Sequence, residues 1–150
     1  MTAAEKFRNL LAADQRYDAE AYNFIYEALD WTLKNIVKDD EARTKGKRMG
    51  RHVTGPELLD GVRRYAIEQF GCLSRTVLES WSVFSTDDFG EIVFNLIEHD
   101  LMGKQDSDSK ADFHRVYDFA EAFDVAPVFC YAPERDEWRA AYVSRASIGQ

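Results

Sequence analysis

The sequence has few of the residues that build metal centres and disulfide frameworks. Its 150 residues include only two cysteines, Cys72 and Cys130, and three histidines. Neither cysteine belongs to a C-x-x-C pair, and two thiols are too few for a zinc site of their own. We therefore predict two reduced, buried cysteines in a cytoplasmic protein without a cofactor, and treat a disulfide as the lesser alternative.

Long apolar runs and nucleotide-binding motifs are also missing. No stretch approaches the roughly 18 apolar residues of a transmembrane helix, and residues 1–18 carry charges where a signal peptide would be apolar. The chain has no G-x-S-x-G elbow, no Walker A loop and no G-x-G-x-x-G fingerprint. These absences argue against a membrane location, a hydrolase of the elbow type and nucleotide binding through those loops.

Positive charge is outweighed by negative charge and is unevenly distributed along the chain. The formal net charge is −8, which opposes binding to nucleic-acid phosphates. Five basic residues and no acid lie between Ala42 and Arg51, whereas residues 85–109 hold seven acids and one lysine. If the chain binds an anion or another molecule through positive charge, the predicted contacts are Arg43, Lys45, Lys47, Arg48, Arg51 and His52.

The residues that are plentiful indicate a folded domain. Apolar residues make up 45% of the chain and aromatic residues 13%, enough to offset the entropy of ordering a chain of this length. We predict a single globular domain over residues 1–150. Residues 38–53 have no hydrophobic periodicity and many charges, so they are predicted to form a basic surface loop.

Hydrophobic residues at helical spacing predict helices at 18–37, 56–70, 73–83 and 87–102. Asp18 and Thr54 are suited to N-caps, Gly71 to the end of the second helix and Gly103 to the end of the fourth. Phe94 lies off the apolar stripe of its helix, which indicates a central position. The predicted core consists of Ile25, Leu29, Leu58, Val62, Trp81, Phe89, Val93 and Leu96.

The end of the chain changes character. Two β-rich runs on either side of the turn-like "PERDE" (residues 133–137) predict a small hairpin. Residues 110–123 fit a helix capped by Ser109 and fit a strand less well. The expected fold is therefore mainly α (α+β), a compact bundle of four to five helices with a small C-terminal β-hairpin. The alternative is a winged-helix-like fold, in which the helix over 87–102 runs into a wing.

The segment beginning "RHVTGPELL", residues 51–59, and continuing to residue 123 resembles an uncharacterised conserved protein family largely restricted to Planctomycetes and Verrucomicrobia. The motif R-H-V-T-G-x-E-L-L carries the resemblance. The resemblance implies a cytoplasmic bacterial protein, and it brings no activity and no catalytic residues to this chain.

Residues 85–114 hold the strongest chemical pattern. The D-S-D-S run, residues 106–109, fails the calcium-loop pattern at its later positions, so we interpret it as loop and cap. Glu91, Asn95 and His99 follow each other at four-residue spacing and share one helix face. Glu91 and His99, joined by His52, are the candidate metal ligands; the competing interpretation is a polar helix face.

Three functions follow from these features. We favour a non-catalytic protein-interaction or regulatory module over an enzyme, with a protein partner or self-association through the basic loop and the acidic face over 87–108. The first alternative is a small metal-dependent enzyme using Glu91 and His99. The second is a winged-helix-like nucleic-acid binder acting through residues 43–51, disfavoured by the acids on the would-be recognition helix.

Overall fold

The computed structural model of the chain describes residues 1–36, 53–103 and 109–148. In these ranges, five longer helices are followed by a one-turn helix, a two-stranded antiparallel hairpin and a final helical turn, so the predicted mainly α fold with a C-terminal hairpin is confirmed. The elements are α1 (Ala3–Ala13), α2 (Ala19–Asn35), α3 (Gly55–Phe70), α4 (Ser74–Ser80), α5 (Thr86–Glu98), α6 (Phe119–Ala122), β1 (Val125–Ala132), β2 (Glu137–Ser144) and α7 (Arg145–Ile148), with 3-10 turns at Gly71–Leu73 and Lys110–Phe113.

The capping residues predicted from the sequence begin two of the helices. The side chain of Asp18 accepts a hydrogen bond from the Glu20 N–H at the start of α2. At α3, the Thr54 hydroxyl accepts from the Glu57 N–H and the Glu57 carboxylate accepts from the Thr54 N–H. This reciprocal pair satisfies two backbone donors that the helix itself leaves open. Gly71, with φ +55°, ends α3.

Helices α2 and α3 pack closely where Gly61 faces Thr32. Both residues are buried. A Cβ atom on Gly61 would overlap the Thr32 hydroxyl and lie 2.8 Å from the Thr32 Cβ. The hydroxyl donates to the Ala28 carbonyl at 2.6 Å, which satisfies it inside its own helix. The absence of a side chain at Gly61 therefore sets the distance between the two helices.

The core matches the predicted one with two corrections. Six of the eight predicted core residues are at most 6% exposed: Ile25, Leu58, Val62, Phe89, Val93 and Leu96. Leu29 and Trp81 are only half-buried against the core. Trp81 lies at the end of α4, and its ring packs on Phe24 and Phe70 with centroid distances of 5.7 and 5.9 Å. Phe94 is 9% exposed, in keeping with the central place predicted for its helix.

Residues 110–123 form two short helical turns, Lys110–Phe113 and Phe119–Ala122, in place of one helix or a strand. Ser109 does cap, since its side chain accepts from the Ala111 N–H, but the turn it begins stops at Phe113. The Thr86 hydroxyl donates to the Phe113 carbonyl at 2.7 Å and accepts from the Val116 N–H at 3.1 Å. These bonds hold the backbone in a bend, and the hairpin begins only at Val125. Helix α5 therefore does not run directly into a wing.

Three further expectations need correction. Helix α5 ends at Glu98, earlier than predicted, because Asp100 takes the left-handed conformation (φ 58°) and the Leu101 N–H bonds back to the Leu96 carbonyl. Gly103 is not the terminator. Cys72 and Cys130 are free, as predicted, but both are exposed instead of buried. Cys72 lies in the 3-10 turn after α3, and Cys130 lies on the strand β1 opposite Arg139.

The predicted basic loop lies almost entirely outside the described residues, since only Val53 of residues 38–53 is described. Val53 is partly buried and packs against the core. Within the part of the chain that the structure describes, no helix is both long enough and apolar enough to cross a membrane.

Candidate interaction surface

The predicted metal-binding face is occupied by a hydrogen-bond network. The Glu91 carboxylate pairs with Arg16 and with Lys110, each at 3.1 Å. Asn95 donates to Asp14 at 2.9 Å and to the Tyr22 hydroxyl at 3.1 Å. The polar face of α5 thus binds the α1–α2 connection, which contributes Asp14 and Arg16.

His99 does not join Glu91. The two lie eight residues apart, about 12 Å along a helix axis. The His99 Nδ1–H donates to the Asn95 carbonyl at 2.9 Å. Among the described residues, no group of three or more His, Cys, Asp or Glu side chains is placed to hold a metal ion. His52, the third predicted ligand, lies outside the described residues, as do Arg43, Lys45, Lys47, Arg48 and Arg51; their roles stay predictions.

The charges of the network shift the pKa values of its two acids. The side-chain hydrogen bond from Arg16 holds the pKa of Asp14 well below its usual range, and this outweighs the opposite effect of burial. Burial raises the pKa of Glu91, but hydrogen bonds from Lys110 and Arg16 together lower it. Both carboxylates are therefore held ionised, which suits a structural role more than proton transfer near neutral pH.

This network predicts a loss of stability in acid. A carboxyl group with a lowered pKa in the folded state stabilises the fold above its unfolded pKa, about 4, and loses that contribution as the pH falls towards its folded value. We expect the free energy of unfolding of the wild type to fall by about 1 kcal/mol more than that of Arg16→Gln between pH 6 and pH 3. Urea unfolding monitored by tryptophan fluorescence at each pH measures this difference.

Lys34→Gln is the matched control, because Lys34 pairs with Asp30 at 2.8 Å across an exposed face of α2. It should leave the pH dependence of the wild type unchanged. Parallel pH profiles for the wild type and Arg16→Gln would show that the network contributes nothing to acid stability.

Other acids on α5 and beyond also have partners within the chain. Asp88 accepts from the Tyr17 hydroxyl at 2.6 Å and from the backbone N–H of Phe84 at 2.8 Å. Asp87 pairs with His114 at 2.8 Å, and Asp100 pairs with Lys6 at 2.7 Å. Four of the five described acids of the predicted acidic face therefore have partners within the chain, and Asp106 and Asp108 lie outside the described residues.

An apolar cavity of about 220 Å³ lies between α2, α3 and α5. Leu29, Leu58, Val93 and Ile97 supply much of its wall, and Ser109 and Asp112 are polar residues that also line it. Among the described residues, the cavity therefore combines a mainly apolar wall with one hydroxyl and one carboxylate.

The C-terminal hairpin presents the most exposed aromatic side chains of the described chain. In its register Tyr131 pairs with Trp138, Phe129 with Ala140 and Pro127 with Tyr142. Directly paired residues of antiparallel strands point to the same face. Four aromatic side chains therefore share one face, and we call them the aromatic face: Phe129, Tyr131, Trp138 and Tyr142.

The aromatic face is anchored at one end and free at the other. A Cβ atom on Gly71 would lie 2.7 Å from the Tyr142 hydroxyl oxygen, so Tyr142 rests on the backbone after α3. Val125 is buried, and Arg145 pairs with Asp124 at 3.0 Å. Towards the turn, Phe129 is 68% and Trp138 71% exposed. Exposed apolar patches of this kind mark interaction sites.

The opposite face of the hairpin differs in chemistry. Towards the turn it carries Cys130 opposite Arg139 and Ala132 opposite Glu137, and Arg139 pairs with Glu137 at 3.0 Å. Farther from the turn it carries the half-buried Val128 and Val143, and it has no aromatic residue. The aromatic side chains therefore lie on one face only, with the Tyr131 and Trp138 rings 5.3 Å apart between centroids.

The sequence pattern predicts the hairpin but does not reveal its aromatic face. The signal was present as aromatic residues at alternate positions, Phe129 and Tyr131 before the turn, and Trp138 and Tyr142 after it. Alternation alone does not say which face is covered, because an inward-facing aromatic stripe has the same pattern. The exposure of these side chains comes from the structure.

The resemblance to the Planctomycetes and Verrucomicrobia family stays a prediction. No protein-family model, curated protein or solved structure was found to match this chain.

Proposed function

We propose that this chain is a non-catalytic protein-interaction module and that the aromatic face of the hairpin is its binding surface. The observation that carries the proposal is the exposure of Phe129 and Trp138, 68% and 71%, on one face of the hairpin. Aromatic side chains dominate the energetics of protein interfaces, because each buries a large apolar area at a low entropic cost.

The alternatives have less support. For the metal-dependent enzyme, Glu91 is bound by Arg16 and Lys110 and lies two helical turns from His99. For the nucleic-acid binder through residues 43–51, the net charge of −8 remains unfavourable. A cytoplasmic location is part of the proposal, and the two free, exposed thiols support it because reducing compartments preserve thiols.

Site-specific photo-crosslinking in the native cells tests the binding surface. Benzoylphenylalanine at Trp138 is expected to give discrete adducts that disappear when unmodified protein is added in excess. Phe84 is the matched position, because it is 61% exposed but lies on the connection before α5. Equal adducts at both positions, or none at Trp138, would count against the proposal.

A second prediction separates binding from folding. Phe129→Ser with Trp138→Ser should change the free energy of unfolding by about 0.5 kcal/mol or less, since both side chains are exposed, while abolishing the adducts of a photo-crosslinker at Tyr131. Phe89→Ser is the contrasting variant, because Phe89 is 1% exposed; it should cost about 3 kcal/mol or more. A large loss of stability in the double variant would assign these aromatics to folding instead.

A further inference from the structure

Strand β2 has a free edge that is poorly protected. The sheet has two strands in the described residues, so β2 pairs only with β1. All of β2 is exposed except Val143, which is half-buried. Proteins usually block such edges with proline or charged side chains. Strand β2 has no proline or lysine, and its two charged residues, Glu137 and Arg139, pair with each other. Strand β1 contains Pro127 and contacts the 3-10 turn Gly71–Leu73, so β2 is the edge suited to pairing.

A second copy of the chain can pair with this edge in few registers. Two β2 strands related by a two-fold axis run antiparallel. Opposite residues must point to the same face of the sheet, so an even-numbered residue must lie opposite an even-numbered one and an odd-numbered residue opposite an odd-numbered one. The longest overlaps are centred on Ala140, pairing residues 137–143, and on Ala141, pairing residues 138–144. A register centred on Arg139 overlaps less and places two guanidinium groups opposite each other, which is unfavourable.

The aromatic residues choose between the two long registers. Centring on Ala140 places Trp138 opposite Tyr142 of the second copy, twice by symmetry. It also places Arg139 opposite Ala141, so no like charges oppose each other. Centring on Ala141 instead places Trp138 opposite Ser144. Aromatic cross-strand pairs are among the most stabilising, so the Ala140 register is favoured.

We infer that the chain forms a two-fold dimer in which β2 pairs with β2 of a second copy about Ala140, giving a four-stranded sheet. This inference rests on the proposed function, because the pairing edge carries Trp138 and Tyr142 of the aromatic face. The edge is complementary to itself, because the small side chain of Ala140 lies on the axis and a Trp138–Tyr142 pair lies on each side of it. A two-stranded hairpin is marginally stable alone, and pairing gives each hairpin two further strands. The four-stranded sheet joins the two aromatic faces into one surface.

Disulfide trapping tests the register directly. In a Cys72→Ser, Cys130→Ser background, Ala140→Cys places two thiols on the axis, and opposite residues have Cα atoms at about 4.5–5.5 Å, within disulfide range. We expect Ala140→Cys to form a covalent dimer under mild oxidation at least about tenfold faster than Ala141→Cys. Faster trapping of Ala141→Cys, or equal rates, would overturn the register.

The equilibrium is tested with the cysteines native and reduced. Sedimentation equilibrium should show a concentration-dependent dimer. Ala140→Lys should raise the dissociation constant of this dimer about tenfold or more, because two ammonium groups then oppose each other. Ser144→Lys, at the strand end and outside the overlap, should change the constant about twofold or less. Thermal melts confirm that both variants fold. A wild type that stays monomeric at high protein concentration would overturn the inference.

The same experiments separate this inference from the proposed function. A monomer whose Trp138 photo-adducts contain a different protein would refute the second copy and leave the aromatic face as a binding surface. A monomer without competable adducts at Trp138 would refute both. A dimer whose Trp138 adducts contain only this chain supports both.

Discussion

Gly61→Ala is expected to lower the free energy of unfolding by about 3 kcal/mol. The new Cβ would overlap the Thr32 hydroxyl and lie 2.8 Å from the Thr32 Cβ. Thr32 is fully buried and β-branched, so its side chain has little freedom to move aside. Helices α2 and α3 would have to separate, which loosens the core at its centre. Chemical denaturation measures the loss.

The sign of the change in the free energy of unfolding distinguishes the steric clash from helix propensity. Alanine is favoured over glycine inside a helix by about 1 kcal/mol, so without the clash the substitution would stabilise the protein. Gly103→Ala is the matched control, because a Cβ there meets nothing within 4 Å. Combining Gly61→Ala with Thr32→Ala should cost less than the sum of the single variants, since the second change removes the overlapping hydroxyl. Strict additivity would contradict the close helix contact.

Asp88→Ala is expected to cost about 2–4 kcal/mol. Its carboxylate accepts from the Phe84 and Ser85 N–H groups at the start of α5, at 2.8 and 3.2 Å. It also accepts from the hydroxyl of Tyr17, a residue only 5% exposed. Removing the carboxylate therefore opens the helix start and leaves a partly buried hydroxyl without its acceptor. Thermal and urea unfolding measure the change.

Two variants show whether this mechanism is correct. Tyr17→Phe removes the orphaned hydroxyl, so the double variant should be less destabilised than the two single costs predict. Asp87→Ala changes the neighbouring acid, which is 45% exposed and pairs with the exposed His114; it should cost about 0.5 kcal/mol or less. Equal costs at Asp87 and Asp88 would mean that the acids contribute through net charge and not through these particular bonds.

Asp88 and Glu91 thus help to hold the fold together through their contacts with Tyr17 and Arg16. The sequence suggested carboxylates ready for a metal or a partner, and a shared face for Glu91, Asn95 and His99. The shared helix did place Glu91 and Asn95 together, because four-residue spacing fixes that relation. Their actual partners, Asp14, Arg16 and Tyr22, come from a distant part of the chain, and helical periodicity carries no information about such contacts.

Local signals determined much of the fold. Hydrophobic spacing located the long helices, the Thr54 and Glu57 pair located the start of α3, and the turn at residues 133–136 located the hairpin. Each of these depends on residues within a few positions of one another. The same reasoning failed for residues 110–123, because the apolar spacing there fits a helix that Thr86 interrupts from across the fold.

Periodicity and capping in the sequence were enough to predict the class of the fold, the order of its elements and most of its core. Which faces of these elements are covered depends on how they pack together. The fold pairs Asp87, Asp88 and Glu91 within the molecule, exposes both cysteines, and leaves Phe129 and Trp138 in solvent. The physical reason is that burial of a side chain depends on which distant element packs against it, and an isolated strand pattern is the same whether its aromatic face is covered or open.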